Sequence, residues 1–403
     1  MRVPRRSSVV DPLDVLRVLA LYVLVFLCHS WAVTIAGDSP SVTTRHLDPV
    51  LLLRTPAWAG IWILFLISGY LAGVGFYSGR YAVTARGVAG YYWARLSRIV
   101  PSYLFLVFVV GFFIYPGFLR QGYVLLRLLT FTYKGLPGVP GIGATWYVST
   151  VVQLYLVAPL VFVAVARLGK RASVDVFVLV LVTGLSMRVL AHARGVEWYT
   201  GVYTPFWMNL DLFICGMLSA GFTLGRRVDA WAPAAAWLRV VSVGLLAAVI
   251  SVNSVLYWDS VAHPEFMYVY MYVLPSAYII AAALFLVAFD AGRERHVSGV
   301  SLRSVAREPA LLFAALSAVS FEFYLWHSNV LEATSALVPP ASSPQVTHLL
   351  RTAAAATVAV GFAWVIHSLM KSPVGRLRRT ALHAPRSKSL WGGFRDPDPP
   401  IRR

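Results

Sequence analysis

Ten stretches of about 20 mostly apolar residues succeed one another along the chain, at roughly 13–36, 56–77, 99–115, 145–166, 173–192, 204–224, 238–257, 267–289, 309–334 and 347–370. Each is long enough to cross a bilayer as a helix, and polar segments containing Gly, Pro or Arg separate them. In lipid only helices or closed barrels satisfy their own backbone, and runs of this length fit helices. The pattern therefore predicts an all-α fold, a polytopic membrane helix bundle of about ten transmembrane helices. The first stretch contains Arg17 and His29, ends in no small-residue cleavage site and is too long for the apolar core of a signal peptide, so it counts as a span. The Gly- and Pro-rich segment Gly135 to Gly143 must be a loop. Three regions result: an N-terminal segment 1–12, a transmembrane domain 13–370, and a basic tail 371–403 expected to be disordered and drawn to anionic lipid. No internal repeat is visible.

Composition agrees with this picture and removes two alternatives. Of 403 residues, 58% are hydrophobic and only 13% charged, against about 25% charged in soluble domains. A water-soluble fold and a disordered chain are both excluded on that ground. The 35 basic residues exceed the 17 acidic ones, for a net charge of +18. In a soluble domain that surplus would suggest nucleic acid. Here its distribution explains it. With the N-terminus in the cytoplasm, 26 Lys and Arg fall in cytoplasmic segments, 8 in outer segments, and Arg17 within the first span. This positive-inside split predicts an even number of spans with both termini cytoplasmic, a lipid bilayer as the necessary partner, and no nucleic acid. Cys28 and Cys215 lie in apolar runs and form no metal motif. The sequence carries no signature of an oligomeric state.

Ionisable groups inside a bilayer are costly and mark sites. The first span holds three: Asp14, Arg17 and His29. Asp14 and Arg17 are three apart and able to pair on a helix. His29 comes 12 residues after Arg17, about 18 Å along a regular helix axis. An arginine near the cytoplasmic boundary and a histidine deep in the bundle suit an anion and a general base; a snorkelling Arg and a hydrogen-bonded His are the bland alternative. Arg95 and Arg98 enter the third span on one face, able to clamp phosphates or merely to anchor the helix. Ser68 and Gly69 form a small pair that favours close helix packing. Glu322 and His327 are five apart in the ninth span and do not share a face. His367 reads as a structural histidine, and Asp211 as a carboxylate that offsets an arginine or lines the cavity.

In order along the chain, these segments resemble the acyltransferase-3 family of integral membrane O-acyltransferases. The first span carries Leu13-Asp14-Val15-Leu16-Arg17 and then His29, and the second carries Phe65-Leu66-Ile67-Ser68-Gly69-Tyr70. The third has Arg95, Arg98, Ile99, Pro101 and Tyr103 in the family's spacing. The fourth has Trp146, Ser149, Gln153 and Tyr155, and the ninth Tyr324-Leu325-Trp326-His327. The resemblance covers about 11–370 and is to a stand-alone member of the family. It implies an acyl (most simply acetyl) group moved from acyl-CoA to a hydroxyl of a saccharide, glycolipid or secondary metabolite, in a bacterial cell membrane. Acyl-CoA would be a co-substrate, with no permanently bound cofactor and no metal. His29 and Arg17 would be catalytic, and Arg95, Arg98 and Ser68 would bind acyl-CoA. Asp14, Trp146, Gln153, Tyr155, Asp211, Glu322, Trp326 and His327 would line or support the cavity. Within this resemblance His327 is expected to tie the ninth span to the first.

Two departures stand out. Relatives place ten residues between the arginine and the histidine, a spacing that returns to within about 20° of one face; here eleven intervene, which turns the pair about 120° apart on a regular helix. Either a one-residue π-bulge restores alignment or the two act from different faces. Val151 stands where many relatives have Glu. A small-molecule transporter and a catalytically inactive relative are the rival readings. A transferase should show one tunnel ending at His29, and a transporter a site between repeats with paired broken helices.

Overall fold

The computed structural model describes residues 10–34, 56–135, 140–224, 232–260, 263–289 and 311–381. Residues 1–9, the centre of the Gly135–Gly143 loop and the tail from 382 lie outside them. The described chain is an all-α polytopic bundle with no strand among these residues. Among the described residues, nine helices are long and apolar enough to cross a membrane. In order they are Pro12–Ser30, Ala57–Tyr77, Ala85–Ile114, Thr145–Val165, Arg171–Ala193, Phe206–Leu224, Ala236–Asp259, Glu265–Ala288 and, after a bent pair, Val346–Met370. The bent pair, Leu311–Ala318 and Ser320–Leu337, meets at 69°; counted as one broken span it is the ninth and brings the total to ten.

Two boundaries differ from the hydropathy pattern. The third span begins at Ala85, not near 99, so Arg95 and Arg98 are inside the helix. Its polar first turns carry no hydropathy signal, but Thr84 caps them, its hydroxyl accepting from Gly87 N at 3.1 Å. The tenth span lies in a helix Pro344–Ala381, which runs past the boundary expected at 370.

The second span is the hub. Its apolar window is 89% buried, whereas those of the fifth and tenth spans are 17% and 22% buried and face lipid. Small residues make the hub possible. A Cβ on Gly69 would sit 1.9 Å from the Phe213 carbonyl oxygen, and one on Gly216 would sit 2.1 Å from that of Leu66. The second and sixth spans therefore meet backbone to backbone, as small residues allow in membranes. The packing role expected of the Ser68-Gly69 pair falls to Gly69.

The first span is not a regular helix. Helical turns at Pro12–Val18 and Leu27–Thr34 flank a π-helical segment, Leu19–Phe26. An extra residue taken up by π geometry adds length to the chain without rotating the residues beyond it. This resolves the Arg17–His29 spacing in favour of alignment. Arg17 bonds Ser317, Tyr22 and Phe26 pack on Phe323 with ring centroids 4.2 and 5.3 Å apart, and His29 bonds His327. All four face the ninth span.

The bend in that span contains neither Pro nor Gly. It leaves carbonyls without helical partners, and hydroxyls take them: Tyr22 Oη donates to Leu316 O at 2.9 Å and Ser320 Oγ to Ser317 O at 2.8 Å. The first span thereby holds the bend open from the side.

Candidate functional site

The first span runs through two polar centres, one around Asp14 and Arg17 and the other at His29. The first centre borders a cavity of about 100 Å³. Its polar wall comprises Arg17, Arg95 and Arg98 with Ser68, Ser320 and the tyrosines Tyr147, Tyr155 and Tyr324. Apolar residues of the first, second, third, fourth and ninth spans complete it, and among the described residues no carboxylate belongs to the lining.

Arg17 is only 7% exposed. Its guanidinium donates to Ser317 Oγ and lies 3.5 Å from Asp14 Oδ1, while Ser317 Oγ donates to the same carboxylate oxygen at 2.6 Å. The carboxylate offsets one charge and fixes the arginine's direction; it does not cancel the two that remain. Arg95 is half-buried, with its guanidinium 5.2 Å from the Tyr155 ring centroid and 5.7 Å from that of Tyr91. Arg98, one turn on, is exposed. The third span thus presents two arginines at different depths of one cavity. Ser320, Phe321 and Tyr324 bring the first turn of the ninth span's long half to the wall. That turn is the N-terminal, positive end of its helix. Ser68 donates to Leu64 O at 2.8 Å, as helix serines do, and its side of the helix lines the cavity.

The second centre is a histidine pair. His29 Nδ1 and His327 Nε2 are 2.6 Å apart, and His327 Nδ1 is 2.5 Å from Tyr324 O. His327 is fully buried, and His29 partly exposed. The cavity does not reach His29, so it is not the single tunnel ending there that the sequence leads one to expect. Tyr324 joins the two centres: its ring lines the cavity, lies 5.6 Å from the His327 ring and 4.9 Å from that of Tyr147.

The remaining candidates take other places. Trp146 packs on Tyr203 at 4.6 Å and Phe65 at 6.2 Å, in an aromatic cluster that continues through Trp198 to Trp58. The turn bearing Tyr199 and Tyr203 is held by Glu197, which accepts from Tyr199 N, Thr200 N and Thr200 Oγ1. Slight burial raises the pKa of that carboxyl, but these three bonds outweigh it and leave it below the usual range. Gln153 donates to Phe131 O at 2.5 Å and so anchors the connection between the third and fourth spans at a residue with φ +53°. Trp326 turns away from the first span and packs on Phe105 and Phe362. Glu322 faces the third and tenth spans, accepting from Ser102 Oγ at 3.4 Å and lying 3.4 Å from His367 Nδ1. His367 is therefore a partner of Glu322, in keeping with a structural role.

Asp211 is outside the cavity wall. Its Oδ2 accepts from Arg188 Nη2 at 2.7 Å, and the same nitrogen donates to Ser276 Oγ at 3.0 Å. This buried pair joins the fifth, sixth and eighth spans. Among the described residues, no three His, Cys, Asp or Glu side chains gather as a metal site.

Sequence reasoning does not single out Ser317, Ser320, Tyr147 or Tyr324 as site residues. Two of them sit inside the motifs, next to Trp146 and three residues before His327, so the motifs mark the segments that carry them, while Arg17, Ser68, Arg95, Arg98 and Tyr155 are motif residues on the wall. A family model described as an acyltransferase domain matches residues 11–368. Neither a curated protein nor a solved structure matches the chain.

Proposed function

Because the chain belongs to the acyltransferase-3 family and is an integral membrane acyltransferase, we propose that it moves an acyl group, most simply acetyl, from acyl-CoA to a hydroxyl of a saccharide, glycolipid or secondary metabolite. The observation that carries the donor is the cavity with three guanidiniums and no carboxylate among its lining residues. Such a wall selects a polyanion, and guanidinium forks match phosphate oxygens. The phosphates of CoA enter past Arg98 and settle against Arg95 and Arg17. The pantetheine arm then passes Tyr147 and Tyr324 toward His29, and those two rings must turn aside for it.

At His29 the acceptor's hydroxyl proton goes to the imidazole as its oxygen attacks the thioester carbonyl. The tetrahedral intermediate collapses, the C–S bond breaks, and the CoA thiolate takes the proton back from the imidazole. An imidazole suits both steps because one ring nitrogen can accept the hydroxyl proton and then return it to the thiolate. Arg17 orients phosphate or thioester. On this reading both termini lie in the cytoplasm of a bacterial cell, the side where acyl-CoA is made.

The inactive-relative reading rests on the Arg17–His29 spacing, and the π segment removes that reason. The transporter reading calls for paired broken helices, and the bent ninth span is a single such pair among the described residues. One experiment separates them. The full chain in nanodiscs is given radiolabelled acetyl-CoA and an extract of lipids and saccharides. Transfer of label to the extract, lost in the double variant Arg95→Gln/Arg98→Gln and in His29→Ala, supports the transferase. Absence of both CoA binding and label transfer refutes it.

A further inference from the structure

The hydrogen bonds at the histidine pair fix more than its geometry. We propose that His327 sets the tautomer of His29, leaving the lone pair on His29 Nε2 and making that nitrogen the atom that takes the acceptor's proton. The proposal deepens the acyl-transfer reading and rests on it.

A carbonyl begins the chain of hydrogen bonds. Tyr324 O can only accept, so His327 Nδ1, 2.5 Å away, must carry a hydrogen. A neutral imidazole has one N–H, so His327 Nε2 bears a lone pair. His29 Nδ1 lies 2.6 Å from that lone pair and must therefore donate to it. In a neutral His29 the remaining nitrogen, Nε2, is then an acceptor. Ser328 Oγ, 3.2 Å from His327 Nε2, is able to donate to the same lone pair and does not alter the sequence of donors.

The alternative is a protonated His327 donating from both nitrogens. That puts a cation on a fully buried ring. The two carboxylates of its own helix, Glu322 and Glu332, are each five residues away; Glu322 is engaged by Ser102 and His367, and Glu332 is exposed. An unpaired buried charge is costly, so the neutral ring wins.

The ring geometry agrees. The two imidazoles are nearly coplanar, at 4°, with centroids 4.9 Å apart. That separation is about the N···N distance plus two ring radii, so the rings meet edge to edge along a straight hydrogen bond and not face to face. Among the described residues no protein group is hydrogen-bonded to His29 Nε2, and His29 is the partly exposed member of the pair.

This arrangement bears on the reaction. When Nε2 takes the hydroxyl proton, His29 becomes an imidazolium and its Nδ1–H bond to His327 becomes charge-assisted and stronger. His327 never gives up its own proton; it is a positioning residue in the way a carboxylate orients the base of a catalytic triad. The proton on Nε2 is later returned to the thiolate.

The test uses the full chain in lipid bilayers with ¹⁵N-labelled histidine and solid-state NMR, the His29 signals being those lost in His29→Ala. The expected result is a neutral His29 protonated at Nδ1. His327→Leu removes the acceptor and shifts His29 toward Nε2–H, whereas His327→Gln, whose amide oxygen can accept, retains Nδ1–H. In turnover with acetyl-CoA, His327→Leu loses on the order of 10²–10⁴-fold in kcat with KM for acetyl-CoA little changed, and His327→Gln recovers much of it. An Nε2–H tautomer in the unaltered protein, or no tautomer change in His327→Leu, overturns the proposal. Undiminished turnover in His29→Ala refutes the base reading itself, whatever tautomer the spectra show.

Discussion

The three arginines of the cavity lie at graded depth, and depth decides what each contributes to binding CoA. Arg98 is exposed, Arg95 half-buried and held over two tyrosine rings, and Arg17 7% exposed and tied to Asp14 and Ser317. The informative perturbations are Arg98→Gln and Arg95→Gln, made singly, because Gln keeps much of the volume and removes the charge. A hydrogen bond to a charged group contributes about 1.5–3 kcal/mol when desolvated. Arg95 meets that condition: the two rings lie against its guanidinium, and its Nε is buried with no hydrogen-bond partner among the described residues. Arg95→Gln should weaken CoA binding roughly 10- to 100-fold, at about 1.4 kcal/mol per decade. An exposed ion pair contributes about 1 kcal/mol or less, so Arg98→Gln should cost under about fivefold.

Salt separates the two further. The Debye length falls from about 10 Å at 0.1 M to about 3 Å at 1 M. Whatever Arg98 contributes should fade across that range, while the Arg95 effect persists. The assay is a CoA titration of the full chain in nanodiscs at both ionic strengths, which needs no knowledge of the acceptor. Equal losses for both variants, or a dominant effect at Arg98, would show that burial does not rank these arginines. No loss at either would mean they only anchor the helix.

Two further outcomes test the frame around the site. Asp211→Leu alone leaves Arg188 charged and buried, and breaking such a pair costs about 3–5 kcal/mol; the thermal midpoint in detergent should fall, and Arg188→Met in addition should restore most of it, whereas strictly additive losses would refute the pair's role. Reporter fusions after residue 40 and after residue 380 should report opposite sides of the membrane, and finding both on one side would sink the ten-span topology.

Much of the architecture is readable in the sequence because hydropathy and helical length are properties of each segment alone. Nine of the ten apolar runs are helices long enough to cross a membrane and the other is a bent helix pair, and the motif residues Arg17, Arg95, Arg98 and Ser68 come together at one cavity. Periodicity, however, assigns a residue to a face of its own helix and is silent about the neighbour. Arg188 shows the difference. The charge count puts it with the outer segments, but it is 3% exposed and paired with Asp211. Its position in an apolar run is the available signal, since a buried arginine demands an acid. Trp326 and Tyr324 show the same limit at finer scale: two residues of one motif, one turned to the tenth span and the other to the cavity. The meeting of His29 with His327 depends on spans nearly 300 residues apart in sequence, and on a helix irregularity that no propensity rule locates.

That irregularity supports a last prediction. Between Arg17 and His29 the regular-helix turn would be about 120° off one face for 12 residues and about 20° off for 11. The π segment Leu19–Phe26 takes up the surplus residue, so both side chains face the ninth span. Deleting Val23, which is only partly buried and lies within that segment, should convert it to ordinary α-helix. The residues before and after then keep their relative rotation, and axial length changes little because a π insertion adds almost no rise of its own. The Arg17–Ser317 and His29–His327 contacts should both survive, and the full chain in its native membranes should still transfer acyl groups. Inserting an alanine after Val23 adds a second surplus residue, turns His29 by about 100°, and should abolish transfer with the protein still inserted. If the first span were a regular helix, the deletion would be the damaging change, because it would rotate His29 out of its contact. An inactive but folded deletion variant beside an active insertion variant would therefore refute the π-helical account of how the two halves of the site are aligned.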